Sequence, residues 1–374
     1  MKISGLELFH VAIPFAKPYR LSKAYGTLHE AHAVILKLAT DEGIVGLGEA
    51  DPMNPFTEET PGTVMSITRD AIAPLVLGRD PEQTAVIEGG LDRSVHGHPT
   101  ARGAINMALY DIRGKVLGIP AYQMLGGLYH AELPILWGIG GEGPKEDLAA
   151  IEDLRQQGCR TVMIKMGSLP IADEIKRMIS ARRHFRDEIK FVVDANQGWE
   201  ESEALAFIEA TRDFPPDLIE QPLKRWNISG LRRIRERAFC LVSADEALVS
   251  PQDAAELIRH RAVDVFSIKV SKNGGLVRSK QIAQTAETFG IKCLMNSMFE
   301  FGISQAALLQ VGCTLPNLVD MGHAYGSVVR MSDDVTDFGR NIKGATVSVP
   351  AGSGLGVDLD EEKLRKYTRN YVKI

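Results

Sequence analysis

From residue 134 onward, short apolar runs recur at intervals of 24 to 30 residues, with charged segments of helical period between them. The runs lie at 134–138, 161–165, 191–196, 217–222, 241–246, 265–270, 292–296 and 317–321. Each run with the segment after it has the length of one βα unit, and eight such units close a parallel (β/α)8 TIM-like barrel. An open doubly wound sheet is the competitor, but the even count and the lack of a G-x-G-x-x-G turn after any run disfavour it.

The first part of the chain reads differently. Strand-like runs at 6–15, 33–38 and 44–49, the last two joined by Thr40-Asp41-Glu42-Gly43, predict a small antiparallel meander. From 57 to about 118 the period becomes helical, most clearly in Ala104, Ile105, Ala108, Leu109, Ile112 and Val116. Strands followed by helices describe an α+β unit. The tail has strand character at 345–349, a Gly-rich turn and then 361–371, too irregular for a ninth barrel unit. The expected α/β organisation is therefore an α+β capping domain at 1–126, a barrel at 127–330 and a C-terminal segment at 331–374 that packs back on the cap.

Lys and Arg total 43 against 48 Asp and Glu, and no stretch sets basic residues beside aromatic ones as nucleic-acid binding requires. A small-molecule carboxylate, not a nucleic acid or a membrane, is the expected partner, and the subunits are expected to form a homo-oligomer. Cys159, Cys240, Cys293 and Cys313 are widely spaced and read as reduced thiols. Glu7, His10 and Lys17 interrupt the amino-terminal run before a signal-peptide core forms, so a cytoplasmic location is expected.

The active site of a parallel barrel lies at the C-terminal ends of its strands. Polar residues there are Lys165 on the second run, Asp194 and Asn196 on the third, Glu220 on the fourth, Asp245 with Glu246 on the fifth, Lys269 on the sixth, Asn296 to Glu300 on the seventh and Asp320 on the eighth. Asp194, Glu220 and Asp245, ending three consecutive strands, would repel one another without a cation between them. Hard oxygen donors on rigid strands suit Mg²⁺, with Mn²⁺ a substitute. Lys165 and Lys269 flank this centre and could act as acid and base on a substrate held there. To do so a lysine must lose its proton far below its ordinary pKa of about 10.4.

These residues sit in motifs that resemble the enolase superfamily, muconate lactonizing enzyme subgroup. The motifs are the 104–115 segment with Pro120 and Leu125-Gly126-Gly127, Ile164-Lys165-Met166-Gly167, Val193-Asp194-Ala195-Asn196-Gln197-Gly198-Trp199, Ile219-Glu220-Gln221-Pro222, Ala244-Asp245-Glu246, and Ile268-Lys269 with Lys272-Asn273-Gly274-Gly275. The resemblance implies metal ligation by Asp194, Glu220 and Asp245 and acid/base roles for Lys165 and Lys269; the superfamily's lysine base and Mg²⁺ are a general example of this chemistry. It also implies that the meander, with the 18–29 and 51–59 segments, covers the barrel mouth. Tyr19, Tyr25, Met53 and Phe56 there read equally as ordinary packing.

Two departures bear on substrate. The family usually carries a second basic residue two positions before the second-strand lysine, where this chain has Met163. Dipeptide epimerases of the family usually show Asp-x-Asp on the eighth strand, against Asp320-Met321-Gly322-His323 here. The expected reaction is removal of a proton α to a carboxylate through an enediolate, giving racemisation or epimerisation of an amino-acid-like acid, with Met163, Asn196, Glu300 and Asp320 as substrate contacts. A dehydratase acting on a hydroxy acid and a cycloisomerase are the alternatives. A Schiff-base aldolase and a non-catalytic binding protein are the rivals from other classes.

Overall fold

The computed structural model of the chain describes residues 1–140 and 143–374. β1 (Ile3–Arg20), β2 (Thr27–Thr40) and β3 (Val45–Ala50) form an antiparallel meander. β1 and β2 outrun their apolar stretches because backbone pairing continues past them, holding to Pro14 opposite Glu30 and resuming at Tyr19 opposite Leu28. One face of the sheet (Leu6, Leu8, Val34, Leu36, Leu38) packs on Ala104, Ile105, Ala108, Leu109 and Ile112 of the helix Pro99–Leu117. β3 presses so close to that helix that a Cβ at Gly48 would lie 2.0 Å from the Ala104 carbonyl oxygen. The other face (Val11, Ile13, Ala33, Ile35) belongs to the barrel's core.

β4 (Glu132–Pro134) leads into seven parallel strands: β5 (Leu136–Ile139), β6 (Thr161–Lys165), β7 (Lys190–Asp194), β8 (Leu218–Glu220), β9 (Leu241–Ala244), β10 (Val265–Ile268) and β11 (Lys292–Met295), each hydrogen-bonded to its sequence neighbour. The eighth run closes the ring through parallel bridges of Leu318 to Cys293 and of His323 to Ile135. Strand side chains alternate between two buried faces. Leu136, Met163, Val192, Leu218, Val265, Leu294, Val319 and Met321 fill the interior, while Val162, Ile164, Phe191, Val193, Ile219, Val242, Phe266 and Ile268 join the core that the helices cover.

β12 (Ile342–Lys343) and β13 (Thr346–Ser348) extend β4 as a small antiparallel sheet. The helix Glu361–Tyr367 then stops, and β14 (Thr368–Lys373) pairs antiparallel with β1. The helix ends at Tyr367 because the open edge of β1 offers the last residues a ladder of backbone partners. Cys159, Cys293 and Cys313 are buried and Cys240 partly so, all as free thiols. Among the described residues no helix is long and apolar enough to cross a membrane.

The cap is fastened to the barrel through helix N-termini, whose first N–H groups have no partner within the helix. Glu49 of β3 accepts from the backbone N–H groups of Phe301 (2.6 Å), Ile303 (3.1 Å) and Ser304 (3.1 Å) at the start of the helix Gly302–Gly312. Asn106 of the cap helix accepts from Leu276 N at 2.8 Å, opening the helix Leu276–Thr288. Glu49→Ala would strand three buried donors and is expected to lower the unfolding free energy by about 3 kcal/mol or more in urea titration. A loss under about 0.5 kcal/mol, typical of a surface change, would show that water replaces the carboxylate at this seam.

Candidate active site

Register places the polar residues. Lys165 lies opposite Asp194, and Asp194 opposite Glu220, so these three occupy one level of the barrel directly above the apolar interior. Glu220 lies opposite Ser243, and Asp245 follows two residues later on the same face. The strand ends then turn sharply: Asn196 (φ 41°), Gln197 (φ 61°), Gln221 (φ 35°) and Phe299 (φ 70°) all hold left-handed backbone conformations unusual for residues other than glycine. Gln221 secures the next loop by accepting from Asp245 N (2.9 Å) and Ala247 N (3.1 Å). Asn273 does the same for the loop after β10, accepting from Lys269 N at 2.9 Å.

The outer two acids are each ion-paired. Lys165 Nζ donates to Asp194 Oδ2, and at 3.2 Å to Asn196 Oδ1. Lys269 Nζ donates to Asp245 Oδ2 at 2.6 Å, and Lys272 Nζ donates to Asp245 Oδ1 at 2.8 Å. Glu220 lies between them and accepts instead from Asn296 Nδ2 (2.8 Å) and Ser267 Oγ (2.6 Å). Burial, reinforced by the charges of Asp194 and Asp245, pushes Glu220 up to about 8. Glu246 is likewise pushed up to about 8, by burial and then by Asp245 and Asp194. Burial would raise Asp245 as well, but the ammoniums of Lys269 and Lys272 outweigh it and hold the carboxyl below its ordinary value. For Lys165 and Lys269 burial favours the neutral amine, yet Asp194 and Asp245 respectively overcome it and keep both above the ordinary lysine value. Burial prevails at Lys272, which is lowered.

Asp194, Glu220 and Asp245 are the residues that could hold a divalent cation. Their chemistry fits: three hard oxygen donors end adjacent strands, and the middle one is destabilised as an anion by its two neighbours. As the side chains stand, the lysines use the lone pairs a cation would take, and no three acidic, His or Cys side chains among the described residues form a closed cage.

A cleft opens beside Lys165, lined by Tyr19, Met163, Asn296, Ser297, Phe299 and Arg330 among others. The cap covers the centre from above. The Phe56 ring lies 4.2 Å from Lys269 Nζ, and the Tyr25 hydroxyl donates to Glu246 Oε1 at 3.0 Å while accepting from Gln197 Nε2 at 2.5 Å. Met163 thus forms part of the wall next to Lys165, and Asn196 joins the centre through Lys165 and Glu246. Glu300 stands behind the wall, accepting from Ser297 Oγ, from Met298 N (2.7 Å) and from Gln305 Nε2 (3.1 Å).

Asp320 is not brought into the site, and its expected substrate contact is corrected. It is fully exposed and pairs at 2.9 Å with Lys190, the residue that opens β7 at the end opposite Asp194. The eighth run continues three residues further than its apolar stretch, so the residues reaching the mouth are Ala324 and Gly326, not Asp320. Lys272 and Arg330 were not expected in the site. The spacing Lys269-x-x-Lys272 hinted at the first, whereas nothing in the sequence around Arg330 marks it.

An eight-stranded βα barrel with buried lysines and carboxylates at its strand ends, roofed by an α+β cap, defines the molecule as a barrel enzyme. Residues 4–126 match the mandelate racemase/muconate lactonizing enzyme N-terminal domain, and residues 146–363 match the enolase C-terminal domain-like family. A chloromuconate cycloisomerase from Delftia acidovorans is 33% identical over 372 residues, covering 99% of this chain and 100% of that relative. The crystal structure of N-succinyl Arg/Lys racemase from Bacillus cereus ATCC 14579 is similar with a TM-score of 0.95 at 27% identity, covering 100% of both chains. A dipeptide epimerase from Enterococcus faecalis V583, complexed with Mg and the dipeptide L-Leu-L-Tyr, has a TM-score of 0.88 at 28% identity over 96% of this chain and 100% of that one. The chain belongs to the enolase superfamily, in its muconate lactonizing enzyme-like subgroup, and is an isomerase of that superfamily.

Glu300 offers a check on these electrostatics. Burial and then the Asp51 charge push it up to about 7. The folded protein therefore keeps a proton that the unfolded chain, with a glutamate pKa of about 4.3, gives up. Stability is full below the unfolded value and declines as pH rises from about 4.5 to about 7. Glu300→Gln is expected to remove a part of that decline on the order of 3 kcal/mol, read from denaturation free energies across the window. The same slope in both proteins would mean that Glu300 titrates as an ordinary carboxyl.

Proposed function

We propose that this isomerase removes and returns the proton α to a carboxylate, racemising or epimerising an amino-acid-like acid. The observation carrying this reading is the placement of two of the site's three lysines. Lys165 ends β6 and Lys269 follows β10, four strands apart in a ring of eight, so they face each other across the mouth with Glu220 between their partner acids. Two bases on opposite sides of one carbon are what inversion requires, because the proton leaves one face and arrives at the other. Asp194, Glu220 and Asp245 would hold Mg²⁺, or Mn²⁺, which when bound supplies positive charge where the substrate carboxylate gains negative charge. Occupation of the acids would also free Lys165 and Lys269 from the charges that keep them protonated.

With Asp320 remote and Glu300 behind the wall, no additional carboxylate among the described residues lines the cleft to meet a substrate ammonium. An acid whose nitrogen is uncharged, such as an N-acylated amino acid, suits it better than a free amino acid or a dipeptide. Cycloisomerisation of an unsaturated acid is the second reading. It is favoured by the apolar wall of Leu136, Met163, Phe299 and Ala324 and by the cycloisomerase relative.

Lys165→Ala and Lys269→Ala are each expected to abolish racemisation of N-acylamino acids, while each retains solvent exchange of the α-proton in only one enantiomer, opposite for the two variants. Chiral chromatography and mass spectrometry in D₂O read both, and undiminished racemisation in either variant would refute the two-base arrangement. Glu220→Gln is expected to weaken Mg²⁺ binding by about tenfold or more in calorimetry, and excess chelator to stop turnover of the unmodified protein. Full turnover in chelator would remove the metal from the reading.

A further inference from the structure

His10 of β1 and His32 of β2 bring two ring nitrogens together in the cap, with no residue in common with the barrel centre. His10 Nε2 lies 3.1 Å from His32 Nδ1, and the ring centres are 5.3 Å apart. The antiparallel register fixes both rings: His10 is opposite Val34 and His32 opposite Ala12, so the two side chains share one face of the sheet. Glu30, two residues before His32 on the same face, places Oε1 3.2 Å from His32 Nε2.

Glu30 decides which nitrogen of His32 is free. With the proton on Nε2, toward the carboxylate, Nδ1 turns a lone pair toward His10. Burial, then the charges of His32 and Arg369, hold His10 below its ordinary value although Glu30 opposes them. Its ring is therefore neutral at neutral pH and needs its proton only on Nδ1 to present a second lone pair. Two imidazole nitrogens at about 2.0–2.1 Å from one Zn²⁺ and 3.1 Å from each other subtend about 98° at the metal, between the octahedral and tetrahedral angles. A proton between the rings makes a hydrogen bond; a metal ion in its place satisfies both lone pairs at once. A carboxylate on the far nitrogen of a ligand histidine orients the ring and raises its basicity. Arg369, 3.9 Å from Glu30 Oε2, is the opposing charge that an ion would meet here.

We propose that His10 and His32 form a binding site for a late first-row divalent ion, Zn²⁺ foremost, with Glu30 as the outer partner of His32. Imidazole nitrogen suits such ions, whereas the barrel carboxylates suit Mg²⁺, so the two centres differ in the metal they select. Two protein ligands leave the remaining positions to water, and His32 also lines a cavity of about 250 Å³, with Leu28, Asp51 and Met53, that has room for it. The ion ties β1 to β2 just before their pairing is interrupted between Pro14 and Tyr19. The site is independent of the reaction proposed for the barrel.

The test is calorimetry with Zn²⁺ on the full, chelator-treated chain, kept in saturating Mg²⁺ so that the barrel acids do not compete. One Zn²⁺ is expected to bind, and Glu30→Gln to weaken it about tenfold. Glu30 is exposed, so that variant reads the site without touching the fold. His10→Gln and His32→Gln are each expected to weaken binding further, and the double variant no more than either alone, because a single nitrogen does not chelate. His98→Gln, at a histidine elsewhere in the cap, should leave the affinity unchanged. Electron paramagnetic resonance of bound Cu²⁺ supplies a signature independent of stability: coupling to two imidazole nitrogens in the unmodified chain, and to one or none in either His variant. Thermal melts show that each variant folds, and Zn²⁺ should raise the melting temperature of the unmodified chain and not of the His variants. Zn²⁺ affinity that is unchanged by Glu30→Gln or survives His32→Gln, a Cu²⁺ spectrum without two nitrogens, or no binding to the unmodified chain would each overturn the proposal and leave the pair a plain hydrogen bond.

Discussion

Four carboxylates, Asp194, Glu220, Asp245 and Glu246, and three ammoniums, those of Lys165, Lys269 and Lys272, share one nearly dry site at the C-terminal ends of the barrel strands. Moving any one of these charges out of water alone would cost several kcal/mol, so the site depends on the partners that each charged group finds, although Glu246 Oε2 has none among the described residues. Asn296 and Ser267 serve Glu220, Asn196 serves Lys165 and Glu246, and Tyr25 reaches down from the cap to Glu246. The carboxylate excess falls on Glu220 and Glu246, the two acids without a lysine hydrogen bond. Those same acids would profit from a further positive charge, which ties the electrostatics of the resting centre to the cation chemistry proposed for it.

The cap follows from the same geometry. In a βα barrel the helices begin on the face where the strands end, so free N–H groups surround the mouth and point at whatever covers it. Glu49 and Asn106 supply acceptors from the cap, and β14 returns the C-terminal segment to the cap's edge strand. The seam that stabilises the two-part fold therefore also places Tyr19, Tyr25 and Phe56 over the lysines. Specificity and stability are built from one set of contacts, and the wall residues can vary only where they do not bear on that seam. Met163 is such a position, facing the cleft without touching the cap–barrel joint, whereas Arg330 joins the two parts through Ala16 N and the Tyr19 ring of β1 and the Gly138 carbonyl of the barrel.

Much of this was legible along the chain, for a reason that differs from residue to residue. Lys165, Asp194, Glu220 and Asp245 stand at or just past the ends of strands whose alternation is visible as apolar runs, so their common level follows from counting along parallel strands. Asp320 has the same appearance at the end of an apolar run, yet the eighth strand continues to Ala324 and leaves it at the far end beside Lys190. A run's last polar residue marks the mouth only when the backbone pairing ends there too, and pairing is a property of two strands. Glu300 lies in the right loop but turns behind it, because Ser297, Met298 and Gln305 satisfy its oxygens there. Lys272 is reached through the turn that Gly274 and Gly275 make with positive φ, a bend that a linear spacing rule does not convey.

Sequence alone determined the barrel and the cluster of lysines and carboxylates at its mouth. Periodic burial writes each strand's two faces into neighbouring residues, and a parallel ring then has one end at which polar side chains can gather. Tertiary structure decided what those residues meet. That Glu220 sits between two ion-paired acids, that Asp320 is remote, and that Arg330 lies against Tyr19 and Trp137 in the same cleft as Lys165 are facts about groups up to 311 positions apart in the chain. Local periodicity carries no information on such pairs, because their separation is set by strand order, by where each ladder stops and by how the cap settles on the helix N-termini.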